Sequence, residues 1–277
     1  MAKVVPPGEC RRRTHRAGPA RTASRRAGAM LTIAHLSDLH LGAHEPDSVP
    51  ALLADVTAAA PVLTVVTGDW TMRARPREFA LAKAVLDALP QPVLTVTGNH
   101  DLPLLSPLRL AEPYERYRAW IHRDLDPAVR LPGLVGLGLQ SMPRWRWKDG
   151  LITGRHVDRI AEVFGSAAES DVKLIALHHP PIGVSLAGRG RLLRAARAAG
   201  VDLVLAGHTH VPDVRRIDGA AVVVAGTATS HRTRGTARSW SLIRVDAEAI
   251  TVTERYSGER GWETGRIMTL LRSLRPV

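Results

Sequence analysis

Cysteine is almost missing from this chain: Cys10 is the only one in 277 residues. An intrachain disulfide framework and a cysteine-rich zinc site are therefore excluded. Aromatic residues are scarce, at 4%. No apolar run approaches the roughly 20 residues that span a bilayer, so a soluble, cytoplasmic protein without a membrane span is expected. Acidic residues are rare at the start, where Glu9 alone stands against Lys3, Arg11, Arg12, Arg13, Arg16, Arg21, Arg25 and Arg26. The first 29 residues thus carry +7 of the chain's net +12.

This basic stretch has no hydrophobic periodicity and reads as a disordered extension over 1–29. It lacks the apolar core of a secretory signal. Three readings of it stand. It is an inert extension ahead of a start at Met30, an electrostatic arm for nucleic acid or anionic lipid, or an organelle transit peptide. Residues 30–277 read as one domain, since a chain with 45% hydrophobic content can build a proper core.

From Leu31 the pattern changes. Apolar runs of strand length fall at 31–36, 62–66, 92–96, 134–139, 172–177 and 201–206. Helical spacing falls at 48–60, 76–89, 155–166 and 189–199, with Pro76 suited to a first turn. Strands alternating with helices predict an α/β fold with a largely parallel sheet. Short strands at 211–216, 221–225, 239–245 and 250–256 predict a second, antiparallel or mixed sheet.

Five polar clusters each follow an apolar run: Asp38-Leu39-His40, Gly68-Asp69, Gly98-Asn99-His100-Asp101, His178-His179-Pro180 and Gly207-His208-Thr209-His210. Strand ends at the carboxyl edge of an α/β sheet are where ligands bind, so distant segments can meet there. Asp38, His40, Asp69, Asn99, His178, His208 and His210 make seven donors, more than one zinc ion takes. A carboxylate such as Asp69 can bridge two ions. Imidazole, carboxylate and amide together favour Mn, Fe, Zn or Co as two divalent or mixed-valence ions. Paired ions point to phosphoester chemistry. His100 is placed to assist the leaving oxygen, with Asp101 as the carboxylate that orients it.

The order Asp-x-His, Gly-Asp, Gly-Asn-His-Asp, His and Gly-His-x-His resembles the calcineurin-like metallophosphoesterase superfamily. Ser37-Asp38-Leu39-His40-Leu41-Gly42 and His178-His179-Pro180-Pro181 resemble most the bacterial branch with class III cyclic-nucleotide phosphodiesterases. The resemblance covers roughly 31–246 and implies a four-layer α/β/β/α sandwich of two mixed sheets flanked by helices. It implies that Asp38, His40 and His210 hold one metal, that Asn99, His178 and His208 hold the other, and that Asp69 bridges. His100 matches the family's catalytic histidine.

The expected function is a dinuclear phosphohydrolase in which a metal-bridging hydroxide attacks phosphodiesters such as 3',5'-cyclic nucleotides. A nuclease is the alternative, with nucleic acid as a partner through the basic extension. A non-catalytic metal-binding scaffold is the reading from another class. Trp70 departs from the family pattern and is expected to pack beside the site. His44 reads as a solvated loop residue. His179 is expected to pack or cap. His231, Arg232 and Arg234 read as an ordinary basic loop, and Trp145 and Trp147 as hydrophobic loop anchors. The short region 103–150 is expected to leave the pocket open.

Overall fold

The computed structural model describes residues 30–104 and 106–272. The basic extension over 1–29 lies outside the described residues. Apolar runs become strands where expected: β1 (Leu31–Leu36), β2 (Leu63–Val66) and β3 (Val93–Thr95), with α1 (Ser48–Ala58) and α2 (Pro76–Ala88) between them. Pro76 does open α2, where its fixed φ suits the first turn and its missing N–H is no loss. α3 (Leu108–Ala111), α4 (Glu115–Trp120) and β4 (Ala128–Leu131) lead into β5 (Leu134–Leu139). Then follow β6 (Gly150–Leu151), α5 (Gly154–Gly165), β7 (Val172–Leu177), β8 (Leu186–Ala187), α6 (Arg189–Ala198) and β9 (Leu203–Ala206). The chain closes on β10 (Asp213–Ile217), β11 (Ala220–Val224), β12 (Ser239–Val245), β13 (Ala249–Gly258) and β14 (Gly261–Leu271).

Two six-stranded mixed sheets result, in the orders β14-β13-β12-β1-β2-β3 and β10-β11-β9-β7-β5-β4. In the first, β1, β2 and β3 are parallel and β12 runs antiparallel to β1. In the second, β5, β7, β9 and β11 are parallel. The late strands therefore do not make a sheet of their own. β10 and β11 extend one sheet, and β12 to β14 extend the other. Each thereby covers an edge of a parallel core that would otherwise expose unpaired backbone.

Alternation along the strands explains the layers. Ile33, Leu63, Val65, Leu174, Leu203 and Val223 meet between the sheets. Ala34, Leu36 and Val66 face the other way, against Leu52 and Val56 of α1 and Phe79 and Ala82 of α2. Ile175, Leu177 and Val204 pack on Ile160 and Phe164 of α5 and Leu192 of α6. Strands buried on both faces read as continuous apolar runs, which is why they were visible in the sequence. The result is the expected helix–sheet–sheet–helix stack. It brings the carboxyl ends of β1, β2 and β3 close to those of β7 and β9.

Candidate metal centre

All five clusters converge at that edge. Backbone bonds fix the first loops: Asp38 N–H donates to the Gly68 carbonyl (3.1 Å) and His40 N–H to the Asp69 carbonyl (2.9 Å). Across the sandwich, Gly207 N–H donates to the His178 carbonyl (2.9 Å). His208 N–H donates to Asp38 Oδ2 (2.9 Å), joining one sheet to the other. Glycine is required at two of these turns by close approach. A Cβ on Gly207 would lie 1.8 Å from Ser37 Oγ, and one on Gly98 would lie 2.0 Å from Asp69 Oδ1.

The backbone is bent hard to aim the donors. Asp38, His40, Asp69, His208 and His210 all have positive φ, between 47° and 72°. Asp and His enter this left-handed region more readily than most side chains, but each still stores strain, and such strain collects at working sites.

The donor atoms crowd into two adjoining groups. In one, His210 Nε2 stands 3.1 Å from His40 Nε2 and 3.2 Å from Asp38 Oδ1. In the other, His178 Nε2 stands 3.1 Å from Asn99 Oδ1 and 3.3 Å from His208 Nδ1. Asp69 Oδ2 faces both, 3.8 Å from His40 Nε2 and 3.4 Å from His178 Nε2. Ligands about 2.0–2.2 Å from a common ion stand roughly 3.0–3.5 Å from one another, so these separations suit metal coordination. The tautomers agree. His178 Nδ1 donates to the Thr67 carbonyl (2.8 Å) and His210 Nδ1 to the Arg232 carbonyl (2.6 Å), which leaves each Nε2 lone pair for the centre. Asp38 Oδ1 is buried without a hydrogen-bond donor, as a ligand atom awaiting a cation would be. The donor set thus fits two transition-metal ions.

Electrostatics follows from this crowding. Burial opposes ionisation of Asp38, yet the neighbouring His210 and the His178 charge hold its carboxyl well below the usual range. Asp69 is likewise held low, with His178 and His100 outweighing burial. Burial also works against a charge on His178, but Asp69 overcomes it and pushes the imidazole up to about 9. Burial lowers His40 and His208 to about 4.

His100 lies beside the first group, its ring 4.8 Å from that of His40. Its Nδ1 donates to the Met72 carbonyl (2.7 Å), and its backbone N–H donates to Asp69 Oδ1 (2.8 Å). The expected carboxylate behind the ring is not there. Asp101 instead accepts from Thr71 N–H (2.9 Å) and Gly98 N–H (2.9 Å). It braces the turn that carries Asn99 and His100, and a backbone carbonyl does the orienting.

A cleft of about 540 Å³ opens over the donors, lined in part by Asp69, Asn99, His100, His208 and His210. Lys148, Arg232 and Arg234 also line it. The two arginines had read as an ordinary basic loop. The signal available was position, because their loop follows β11, whose carboxyl end lies at the same edge as that of β9. Trp70 is fully buried, donating Nε1–H to Thr95 Oγ1 (2.7 Å), so it packs as expected. His179 is also buried, between Ser141 Oγ (2.8 Å) and the Lys148 carbonyl (2.7 Å). His44 accepts a hydrogen bond from Gly42 N–H (3.2 Å) and does not line the cleft. Trp145 and Trp147 do not anchor their loop by burial, being 64% and 53% exposed. Buried Arg109 holds that loop instead, donating to the Arg144 carbonyl (3.1 Å) and to that of Arg146, with its guanidinium 4.7 Å over the Trp147 ring.

The sequence model of the calcineurin-like phosphoesterases matches residues 31–212. The chain belongs to that family. The His/Asp groups above are the candidate metal ligands of this calcineurin-like phosphoesterase. Its fold is that of a purple acid phosphatase from yellow lupin seeds (TM-score 0.66, 12% identity, 88% of this chain and 54% of that one). The calcineurin-like phosphoesterase thus spans about half the length of that enzyme. It is also similar to PhoD (TM-score 0.62, 11% identity, 88% of this chain and 70% of that one). A third likeness is to GAP50, described as the anchor in the inner membrane complex of Plasmodium (TM-score 0.62, 12% identity, 89% of this chain and 90% of that one). No curated protein matches the chain. None of the helices among the described residues is long and apolar enough to cross a membrane.

Proposed function

We propose that this phosphoesterase is a dinuclear phosphodiesterase acting on small phosphodiesters such as 3',5'-cyclic nucleotides. One observation carries the reading: Asp69 Oδ2 faces both donor groups, as a bridging ligand must. Asp38, His40 and His210 would hold one ion, Asn99, His178 and His208 the other, and Asp69 would be shared. When bound, the ions supply positive charge to the phosphate oxygens and make water acidic enough to attack phosphorus near neutral pH.

The chain's own groups do the rest. The Met72 carbonyl holds His100 at Nδ1, so its Nε2 meets the cleft with the Arg232 guanidinium beside it (3.4 Å), and the pair would stabilise charge on the departing oxygen. Asp101 keeps the turn bearing Asn99 and His100 in place. The cytoplasm is the proposed site of action.

The test is hydrolysis of bis-p-nitrophenyl phosphate by the Mn²⁺-loaded protein. Turnover should be lost in Asp69→Ala. Equal inactivity of wild type and variant across Mn, Fe, Zn and Co would sink the reading. A nuclease is the second reading, supported by the cations at the cleft. Deleting residues 1–29 should then reduce DNA or RNA cleavage and its salt dependence, while turnover of small diesters stays constant. GAP50 shows that a protein with this fold can be described as an anchor. A scaffold role is opposed here by the full donor set beside His100.

A further inference from the structure

The metal donors do not account for the whole cleft. Three cations, Lys148, Arg232 and Arg234, share its lining with them. Among the described residues none of the three forms an ion pair. The acidic lining consists of Asp69, already engaged with the histidines, and Asp149. Cations gathered in a cleft without partners repel one another, and an incoming anion relieves that repulsion.

Two of the three are also held in place by buried parts of the site. The Arg232 carbonyl accepts from His210 Nδ1 (2.6 Å), and its guanidinium reaches His100 Nε2 (3.4 Å) and Met72 Sδ (3.6 Å). One residue thus touches a candidate metal ligand through its backbone and the candidate catalytic histidine through its side chain. The Lys148 carbonyl accepts from His179 Nε2 (2.7 Å), and His179 is itself buried and bonded to Ser141 Oγ (2.8 Å). His179, whose two ring nitrogens are taken by Ser141 and the Lys148 carbonyl, acts here by setting the position of Lys148. The guanidinium fork suits phosphate oxygens, and an ammonium adds a point charge.

We propose that Lys148, Arg232 and Arg234 form an anion subsite that takes a second phosphate of the substrate. This rests on the phosphodiesterase reading and narrows it. The preferred substrate is a nucleotide-sized phosphodiester that also bears a phosphate monoester. A simple 3',5'-cyclic nucleotide occupies the metal side alone and leaves the three cations unused. The extra phosphate is bound and not cut, so it changes affinity and leaves the chemistry at the scissile phosphorus as it was.

Two chromogenic substrates separate the subsite from the metal centre: p-nitrophenyl thymidine 5'-phosphate and the same compound with a 3'-phosphate. With Mn²⁺-loaded full-length protein, the 3'-phosphorylated form should show a KM about tenfold lower, the scale of one charge-assisted hydrogen bond. In Lys148→Gln/Arg234→Gln the ratio of the two KM values should fall to within about twofold. Arg260→Gln, which removes a charge from the β13–β14 turn outside the cleft, should keep the wild-type ratio. Equal KM values in wild type, or a ratio that survives the double substitution, overturn the subsite. If neither compound is turned over, the phosphodiesterase reading fails, and binding decides the subsite separately. Thymidine 3',5'-bisphosphate should then bind tighter than thymidine 5'-monophosphate, and the double substitution should abolish the difference. Equal binding of the two overturns the subsite.

Discussion

Gly207→Ala is the sharpest probe of how the two sheets share the metal centre. The added methyl would stand 1.8 Å from Ser37 Oγ and 2.5 Å from Asp38 Oδ2. Neither atom is free to retreat: Ser37 Oγ donates to Asp38 Oδ2 (2.6 Å), and both side chains are buried. Overpacking of this kind costs about 1–3 kcal/mol. For a domain of this size that lowers Tm by about 2–12 °C. The larger effect falls on Asp38, which must turn away from His210, so Mn²⁺ affinity should drop about 10–100-fold, as when a ligand's support is removed. Differential scanning calorimetry of the metal-free protein and isothermal titration with Mn²⁺ read the two effects apart. Adding Ser37→Gly removes the closest clash but leaves the one with Asp38, so stability should recover in part and metal affinity should not. Wild-type Mn²⁺ affinity in Gly207→Ala would refute the geometry.

Other outcomes follow from the same contacts. In metal-free protein, His178 sits at about 9 against an ordinary 6.5, so its contribution to stability is full below pH 6.5 and is lost as pH rises towards 9. Apo Tm should fall over that window while Mn²⁺ affinity rises, because metal must displace the proton; parallel calorimetry and titration at pH 6.5 and 9 check both. Trp70→Phe should cost about 1–3 kcal/mol in urea unfolding by removing the Nε1–H donor to Thr95, with KM unchanged, since the ring lies in the core. Arg109→Leu should leave the Arg144 and Arg146 carbonyls without their donor and speed limited proteolysis within 144–148 at least several-fold.

The fold was legible where burial is two-sided. The runs at 31–36, 172–177 and 201–206 are apolar because both faces of each strand are covered, and they mark the donors that follow them. β14 was not legible, because nearly all of it is exposed and its residues carry no run or clean alternation. Nor could local pattern say that β12 pairs with β1, some 200 residues away in sequence, since partner choice is set by the packing of whole sheets. The donors stood out by residue type and position. Their supports did not: the Met72, Thr67 and Arg232 carbonyls are backbone atoms that any residue could provide. Asp101 misled for a related reason, because adjacency to His100 in sequence says nothing about which way a carboxylate turns.

Asp38, His40, Asp69 and Asn99 follow strands of one sheet, whereas His178, His208 and His210 follow strands of the other. Neither half alone presents a complete site. The full set of seven donors therefore exists only when the two sheets are packed against each other. Ions held by all seven would act as a clasp across the seam, so stripping the metal should loosen the contact between the sheets before it loosens either sheet.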